Sequence, residues 1–442
     1  MKKRVFFALL FTFFLLFSIS AVGNASAAQF TQQDFTSQSY CGTCHRTLYD
    51  QWSQSLHAKA FSDPIFYSVM NVAIADMGGK DSDGGKLIQD YCLHCHTPIG
   101  SLTGDIPPTT ATSTNAISCD FCHTVSDISG VGNGSYINSP GILKRGPFKD
   151  SFSPAHETVY SELHIKSEFC GMCHDVYHPV NGLPLETTYT EWKQSPYAAE
   201  GTTCQHCMMG SQNNARAAVD GPLRSLIKTH EFTGANVTLG KRDVAENRLK
   251  HAAGIQMKTN KTEADPKEKV KLTISITNTS AGHKIPTGLT EVREMWLEVK
   301  AIDSDNNEQT IFKEEYKTVL EDDKGIHDGH VPVWRAVKVF SDNRIGPKEK
   351  RTYKKELMIP AETSGKMTIV AVLKYRSASP SLTRSLGFDD FPVIEMAKTQ
   401  KDITVTNTGS LASPCRILSV ILIGAITAVG GGSFMLRIRH GT

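Results

Sequence analysis

Ten of the eleven cysteines fall in five Cys-x-x-Cys pairs between Cys41 and Cys207, and four pairs are followed at once by histidine. They are Cys41-Gly-Thr-Cys44-His45, Cys92-Leu-His-Cys95-His96, Cys119-Asp-Phe-Cys122-His123 and Cys170-Gly-Met-Cys173-His174. Two thiols at this spacing add across the two vinyl groups of one haem, and the adjacent imidazole lies under its iron. Pairs of Cys-x-x-Cys also build zinc sites, but four histidine-terminated copies favour haem c. An ordinary disulfide-stapled domain is excluded. Composition excludes more: 40% hydrophobic and 21% charged residues fit neither a disordered chain nor a multi-span membrane protein. With 47 basic against 45 acidic residues, no strongly basic face is forced and nucleic acid is not an expected partner.

The fifth pair, Cys204-Gln-His-Cys207, is followed by Met208. Three readings stand open. It holds a fifth haem ligated by Met208 or by a residue from elsewhere, it is a lapsed site, or its His206 serves another haem. Methionine is a known ligand of haem iron, whereas cytochrome maturation usually depends on the histidine. The cofactor expectation is therefore four haems c and an optional fifth.

Two segments speak to location. Residues 1–27 combine Lys2, Lys3 and Arg4, an apolar run and Ala25-Ser26-Ala27, the pattern of an export signal peptide, with an uncleaved anchor as the rival. Residues 417–436 carry no charge and are long enough to span a ~30 Å hydrocarbon core. Arg437, Arg439 and His440 follow, so residues 437–442 are expected to be a cytoplasmic tail. The expectation is a single-pass protein of the cell membrane, with the rest of the chain on its periplasmic or extracellular side. Cys415 reads as a plain thiol at the membrane edge.

Between these segments the composition changes near residue 255. Residues 28–255 hold all ten paired cysteines and, counted up to but not including His251, eleven of the sixteen histidines, with poor apolar periodicity and many loop residues. A segment this irregular needs its cofactors as core. Short helices are expected over 47–61 and 187–199. Residues 256–407 alternate instead: 270–277, 295–302, 310–319, 333–340, 352–358, 367–376 and 403–406 read as strands separated by turn signals. The fold class is thus mixed. An irregular, mainly α multihaem domain precedes an antiparallel β-sandwich of immunoglobulin-like type, a linker at 408–416 and one C-terminal transmembrane helix.

An internal repeat sorts the histidines. Cys41-Gly-x-Cys44-His45 continues to Trp52, Gln54, Ser55, His57 and Ala58, and Cys170-Gly-x-Cys173-His174 continues to Trp192, Gln194, Ser195, Tyr197 and Ala198. The haem domain reads as a duplicated unit. His57 is the first candidate for a distal ligand, and Tyr197 holds its place in the second copy. His156, His164, His178 and His230 are further candidates, as is His283 in Gly282-His-Lys-Ile-Pro-Thr-Gly288. His327, His330 and His440 read as surface residues, His251 is undecided, and His94 reads as flanking or solvent-facing.

These runs, with Ile117 to His123, Phe169 to His174, Glu191-Trp192, Thr229-His-Glu-Phe-Thr-Gly234 and the His283 loop, resemble the multihaem c-type cytochromes. The group is the one related to the tetrahaem nitrification electron carrier (cytochrome c-552/4-like) and to hydroxylamine oxidoreductase. The resemblance spans roughly residues 38–290. It implies closely packed haems, mostly with two histidine ligands, that pass electrons along the chain. It also implies that the His230 and His283 loops supply axial ligands. Met208 departs from the pattern.

Two functions follow. One is a membrane-anchored electron carrier between a membrane-side donor and a periplasmic or extracellular acceptor in respiration, with redox partner proteins on either side. The other is an oxidoreductase of a small nitrogen or sulfur compound at one open haem, for which Tyr197 and Met208 are the features. A subunit of a larger complex or an oligomer is a third. Haem propionates would move the formal +2 charge by roughly −4 for four haems, giving an acidic external portion.

Overall fold

The computed structural model describes residues 29–289, 291–326 and 331–406. The expected signal peptide, the linker, the transmembrane helix, the tail, Cys415, His327, His330 and His440 lie outside them. Among the described residues no helix is long and apolar enough to cross a membrane.

The N-terminal part is built from short helices and two-stranded ribbons. Its first helix, Gln38–Cys44, is capped by Ser37, whose hydroxyl accepts from the Tyr40 N–H. Arg46–Ser53 follows. The helix expected over 47–61 stops there, and the chain runs through turns to Asp63. Asp63 then caps Pro64–Asp76 by accepting from the N–H groups of Ile65 and Phe66. Residues 187–199 likewise form two helices, Thr188–Lys193 and Pro196–Ala199. The break falls at Pro196, which lacks an N–H to continue the ladder. Apolar clusters here are small. One gathers Phe35, Ile99, Phe121, Val125, Tyr136 and Met172, and another Met70, Ala73, Ile74, Ile88 and Leu93.

The C-terminal part holds the large core. A five-stranded sheet runs Glu263–Ala264, Ile394–Val405, Gly365–Arg376, Glu294–Ile302, Glu308–Glu315 in spatial order, and packs on a three-stranded sheet of Lys350–Met358, Lys269–Asn278 and Ala253–Thr259. The period of two in Lys269–Asn278 turns Val270, Leu272, Ile274 and Ile276 inward, each at most 1% exposed. Burying four such side chains contributes on the order of 10 kcal/mol. Met295, Leu297 and Val299 meet them from the other sheet.

The expected strands differ in three places. Residues 310–319 are two strands, Glu308–Glu315 and Thr318–Asp322, because Tyr316 turns into the core between them and its N–H donates to the Met295 carbonyl. Residues 333–340 begin with a 3-10 turn, Val333–Arg335, and only Ala336–Asp342 is extended. The last strand runs Ile394–Val405 and pairs with Gly365–Arg376 along most of its length. The sandwich also begins before 256, with Ala253–Thr259 directly after the Arg242–Ala252 helix.

Side chains join the two parts. Glu191 and Arg344 form an ion pair of 2.7 Å, both side chains under 10% exposed. Asp76 accepts from Trp334 Nε1 at 2.7 Å and from Arg335 Nη2 at 2.7 Å. The Thr188 and Thr287 hydroxyls meet at 2.6 Å.

Candidate haem centres

Each Cys-x-x-Cys pair lies in or at the end of a helical turn, which puts thiols three residues apart on one face. In the Cys-Gly-x-Cys pairs the glycine is required by packing. A Cβ on Gly42 would stand 2.8 Å from the Tyr49 ring, and one on Gly171 would stand 2.5 Å from the Tyr189 ring. No disulfide joins any of the ten paired cysteines. Burial pushes Cys92 and Cys122 up to about 12, so these positions favour a neutral sulfur over a thiolate. Cys41 and Cys119, Cys95 and Cys173, and Cys170 and Cys204 lie close enough to perturb one another's ionisation.

The motif histidines share one orientation. Nδ1 donates to a backbone carbonyl in His45 (Ala217, 2.7 Å), His96 (Ala60, 2.8 Å) and His123 (Arg145, 2.6 Å), and His174 Nδ1 faces the Glu186 carboxylate at 3.7 Å. This leaves Nε2 for iron, the usual arrangement of a ligating imidazole. A metal–nitrogen bond of about 2 Å, with about 1.2 Å more to the ring centre, puts two imidazoles on opposite sides of one iron about 6.3 Å apart. Three pairs of rings meet that spacing. His45 and His156 are 6.3 Å apart, His174 and His57 are 6.2 Å apart, and His123 and His230 are 6.4 Å apart, all tilted by 24–32°. His156 and His230 also spend Nδ1 on carbonyls, those of Glu157 and Lys228. Burial lowers His57 to about 3 and His230 to about 4, with neighbouring imidazoles adding to the effect, so both are held neutral, the form in which an imidazole can bind a metal.

His164 and His178 are placed differently. The His164 ring is 5.7 Å from His123, but its Nε2 donates to the Cys122 carbonyl and its Nδ1 accepts from Ser161 Oγ. His178 Nε2 donates to the Trp334 carbonyl, and its Nδ1 accepts from the Val180 N–H. Neither has a nitrogen left for iron. His94 is engaged at both nitrogens too, by Gly134 and by Ser101 and Tyr136. The Tyr197 hydroxyl donates to the Thr279 carbonyl at 2.9 Å. His251 Nδ1 donates to the Asn247 carbonyl within its own helix.

His96 has no second imidazole on it among the described residues. The Phe66 ring lies flat against it, centroids 3.6 Å apart and planes within 2°. Neither Phe66 nor the pairing of His57 with His174 is signalled by local sequence. The residue before each repeat tryptophan was also missed. Gln51 Oε1 accepts from the His230 N–H at 2.9 Å, and Glu191 Oε2 accepts from the Lys284 N–H at 3.0 Å. The repeat alignment at Trp52 and Trp192 puts these two residues in register.

A model of the cytochrome c554 and c-prime family matches residues 40–124. Among solved structures the chain resembles a penta-heme cytochrome c552 from Thermochromatium tepidum, with a TM-score of 0.64 and 23% identity over 84% of this chain and 99% of that one. Much weaker likenesses, at a TM-score of 0.19 over 35% of this chain, are to the sporulation control protein Spo0M of Bacillus subtilis (15% identity, 49% of that chain) and to a CARDB domain from Pyrococcus furiosus (10% identity, 87% of that chain). No curated protein sequence matches the chain. The fold is that of a multihaem c-type cytochrome joined to a large β-rich domain.

Proposed function

We propose that this chain is a membrane-anchored multihaem c-type cytochrome that carries electrons between a membrane-side donor and a periplasmic or extracellular acceptor in respiration. The observation that carries the reading is the set of three imidazole pairs at the spacing of two axial ligands on one iron. An iron saturated by two histidines changes little on gaining or losing an electron, which suits transfer rather than chemistry. The thiol contacts extend the argument. Cys41 with Cys119 brings the first and third attachment sites together, Cys95 with Cys173 the second and fourth, and Cys170 with Cys204 the fourth and fifth, and Cys170 also lies within the electrostatic reach of Cys122. Haem c at such sites would supply a continuous relay. The protein holds the imidazoles of His45, His96, His123, His156 and His230 by their Nδ1 atoms.

Anchoring rests on the uncharged 417–436 run, and export on residues 1–27. The motif runs support a kinship with the tetrahaem nitrification carrier and with hydroxylamine oxidoreductase. Redox titration of the matured protein tests the reading. At least three low-spin haems that reduce and reoxidise reversibly are expected, in the membrane fraction for the full chain and in the soluble fraction after truncation at residue 406. A protein with no low-spin haem overturns the carrier reading.

A second reading, reaction of a small molecule at one haem, has a single observation in its favour: among the described residues His96 has no imidazole opposite it at the spacing of the other three pairs.

A further inference from the structure

We propose that Cys204 and Cys207 attach a fifth haem whose axial ligands are His283 and Met208. The inference rests on the haem reading of the four complete motifs and extends it to the pair that departs from their pattern.

The two sequence repeats fold into the same interactions. Tyr49 and Trp52 rings stand 5.7 Å apart at 44°, and Tyr189 and Trp192 stand 5.5 Å apart at 44°. Trp52 Nε1 donates to the Ile117 carbonyl at 2.8 Å, and Trp192 Nε1 donates to the Thr202 carbonyl at 2.8 Å. The Ile117 N–H returns to the His57 carbonyl, and the Thr202 N–H returns to the Tyr197 carbonyl. Ile117 and Thr202 each stand two residues before a cysteine, Cys119 and Cys204. Those cysteines meet Cys41 and Cys170, the first cysteines of their own repeats. The structure therefore superposes Cys204–Cys207 on Cys119–Cys122, a complete haem motif, and puts Met208 in the place of His123.

The distal side repeats as well. In the first copy Gln51 holds the loop that carries His230, the ring opposite His123. In the second copy Glu191, at the same position, holds the loop that carries His283, one residue further along. Gly282 lies against Trp192, where an added Cβ would approach Cδ1 to 3.2 Å. Trp192 in turn reaches Thr202 at the start of the Cys204 segment. His283 spends Nδ1 on the Lys284 carbonyl at 2.9 Å, as His230 spends its own on Lys228, so Nε2 is free. Arg344, paired with Glu191, also reaches the Pro286 carbonyl and fixes the loop from its other side. A lapsed site has no use for a histidine loop held this firmly. Met208 brings a thioether, a competent ligand for haem iron trans to histidine, on a residue 36% exposed. Attachment needs no oxidant: each S–H adds across a vinyl C=C, the sulfur bonding one carbon and the hydrogen the other.

The test uses the full chain produced in a host with cytochrome c maturation machinery, with covalent haem counted by pyridine haemochrome and intact mass. Five haems per chain are expected. Cys204→Ser with Cys207→Ser should lower the count to four and leave the remaining spectra unchanged. His283→Ala should keep five and turn one haem from low to high spin, and His283→Gly should regain low spin with added imidazole, which separates ligation from misfolding. Met208→His should abolish the near-infrared band of methionine-ligated ferric haem. Four haems in the unaltered chain overturn the proposal while leaving the four complete motifs standing, and fewer than four overturn that reading too. Five haems with an unchanged His283→Ala spectrum overturn the ligand assignment.

Discussion

His57 lies in the first repeat, yet its ring is 6.2 Å from that of His174 in the second. The two copies are interlocked: a motif histidine of one faces an imidazole of the other at the spacing two ligands of one iron would have. Burial lowers His57 to about 3, and the charges that His174, His230 and His96 would carry add to this, so a protonated ring is not tolerated there. His57→Ala is expected to leave the covalent haem count unchanged and to convert one low-spin haem, the one attached at Cys170 and Cys173, to high spin. Electron paramagnetic resonance of the oxidised protein reads this, and an unaltered low-spin signal would show that His57 only packs.

His164 and His230 both stand near His123, but only His230 has a free nitrogen. His230→Ala should therefore perturb the spin state of a haem, and His164→Ala should not. If His164→Ala produced the high-spin species instead, the ligand order at this centre would be reversed.

The haem at His96 is expected to be the open one, since among the described residues no imidazole stands opposite that ring at the spacing of the other three pairs. The reduced protein should bind carbon monoxide at one haem per chain without loss of another ligand. A reduced protein that binds no carbon monoxide would contradict this and remove the support for small-molecule chemistry.

Glu191 and Arg344 tie the second repeat to the sandwich in a site with almost no solvent. Glu191→Ala leaves Arg344 buried with only Asp342 as counter-charge and should destabilise the protein by about 3–5 kcal/mol. Glu191→Gln keeps the hydrogen bonds and should cost less. Denaturant unfolding separates the two, and equal losses would argue that the charge itself is not what matters.

Asp76 clamps the end of the Pro64–Asp76 helix to the sandwich. Hydrogen bonds from Arg335 and Trp334 hold its carboxyl near 2, below its ordinary 3.8. A depressed carboxyl contributes stability that is complete above the unfolded value and lost as pH falls through the folded one. The stability difference between the unaltered protein and Asp76→Asn should be constant above about pH 4 and vanish towards pH 2. A difference that persists unchanged at pH 2 would mean that the clamp is not ionic.

The residues legible in the sequence were those whose chemistry is local. Cys-x-x-Cys-His is complete within five residues, so the four attachment sites, the duplication and the candidate histidines could be read before any fold was known. The alternation in Lys269–Asn278 likewise announces a half-buried strand, because a strand's two faces differ within a few residues. Helix lengths were less legible: residues 47–61 and 187–199 carry helical composition, but each helix ends where a tertiary contact or Pro196 takes over the backbone groups.

The sequence by itself determined where the haem-attachment motifs lie and that two dissimilar domains follow one another. Only the tertiary structure decided which imidazole faces which. His57, His156, His164, His178 and His230 look alike as letters, and what separates them is whether one ring nitrogen or both are taken by carbonyls, hydroxyls and amides from distant segments. Gln51 and Glu191 gain meaning in the same way. Their role is to receive one N–H each from loops far along the chain, a relationship that exists only once the chain has closed on itself.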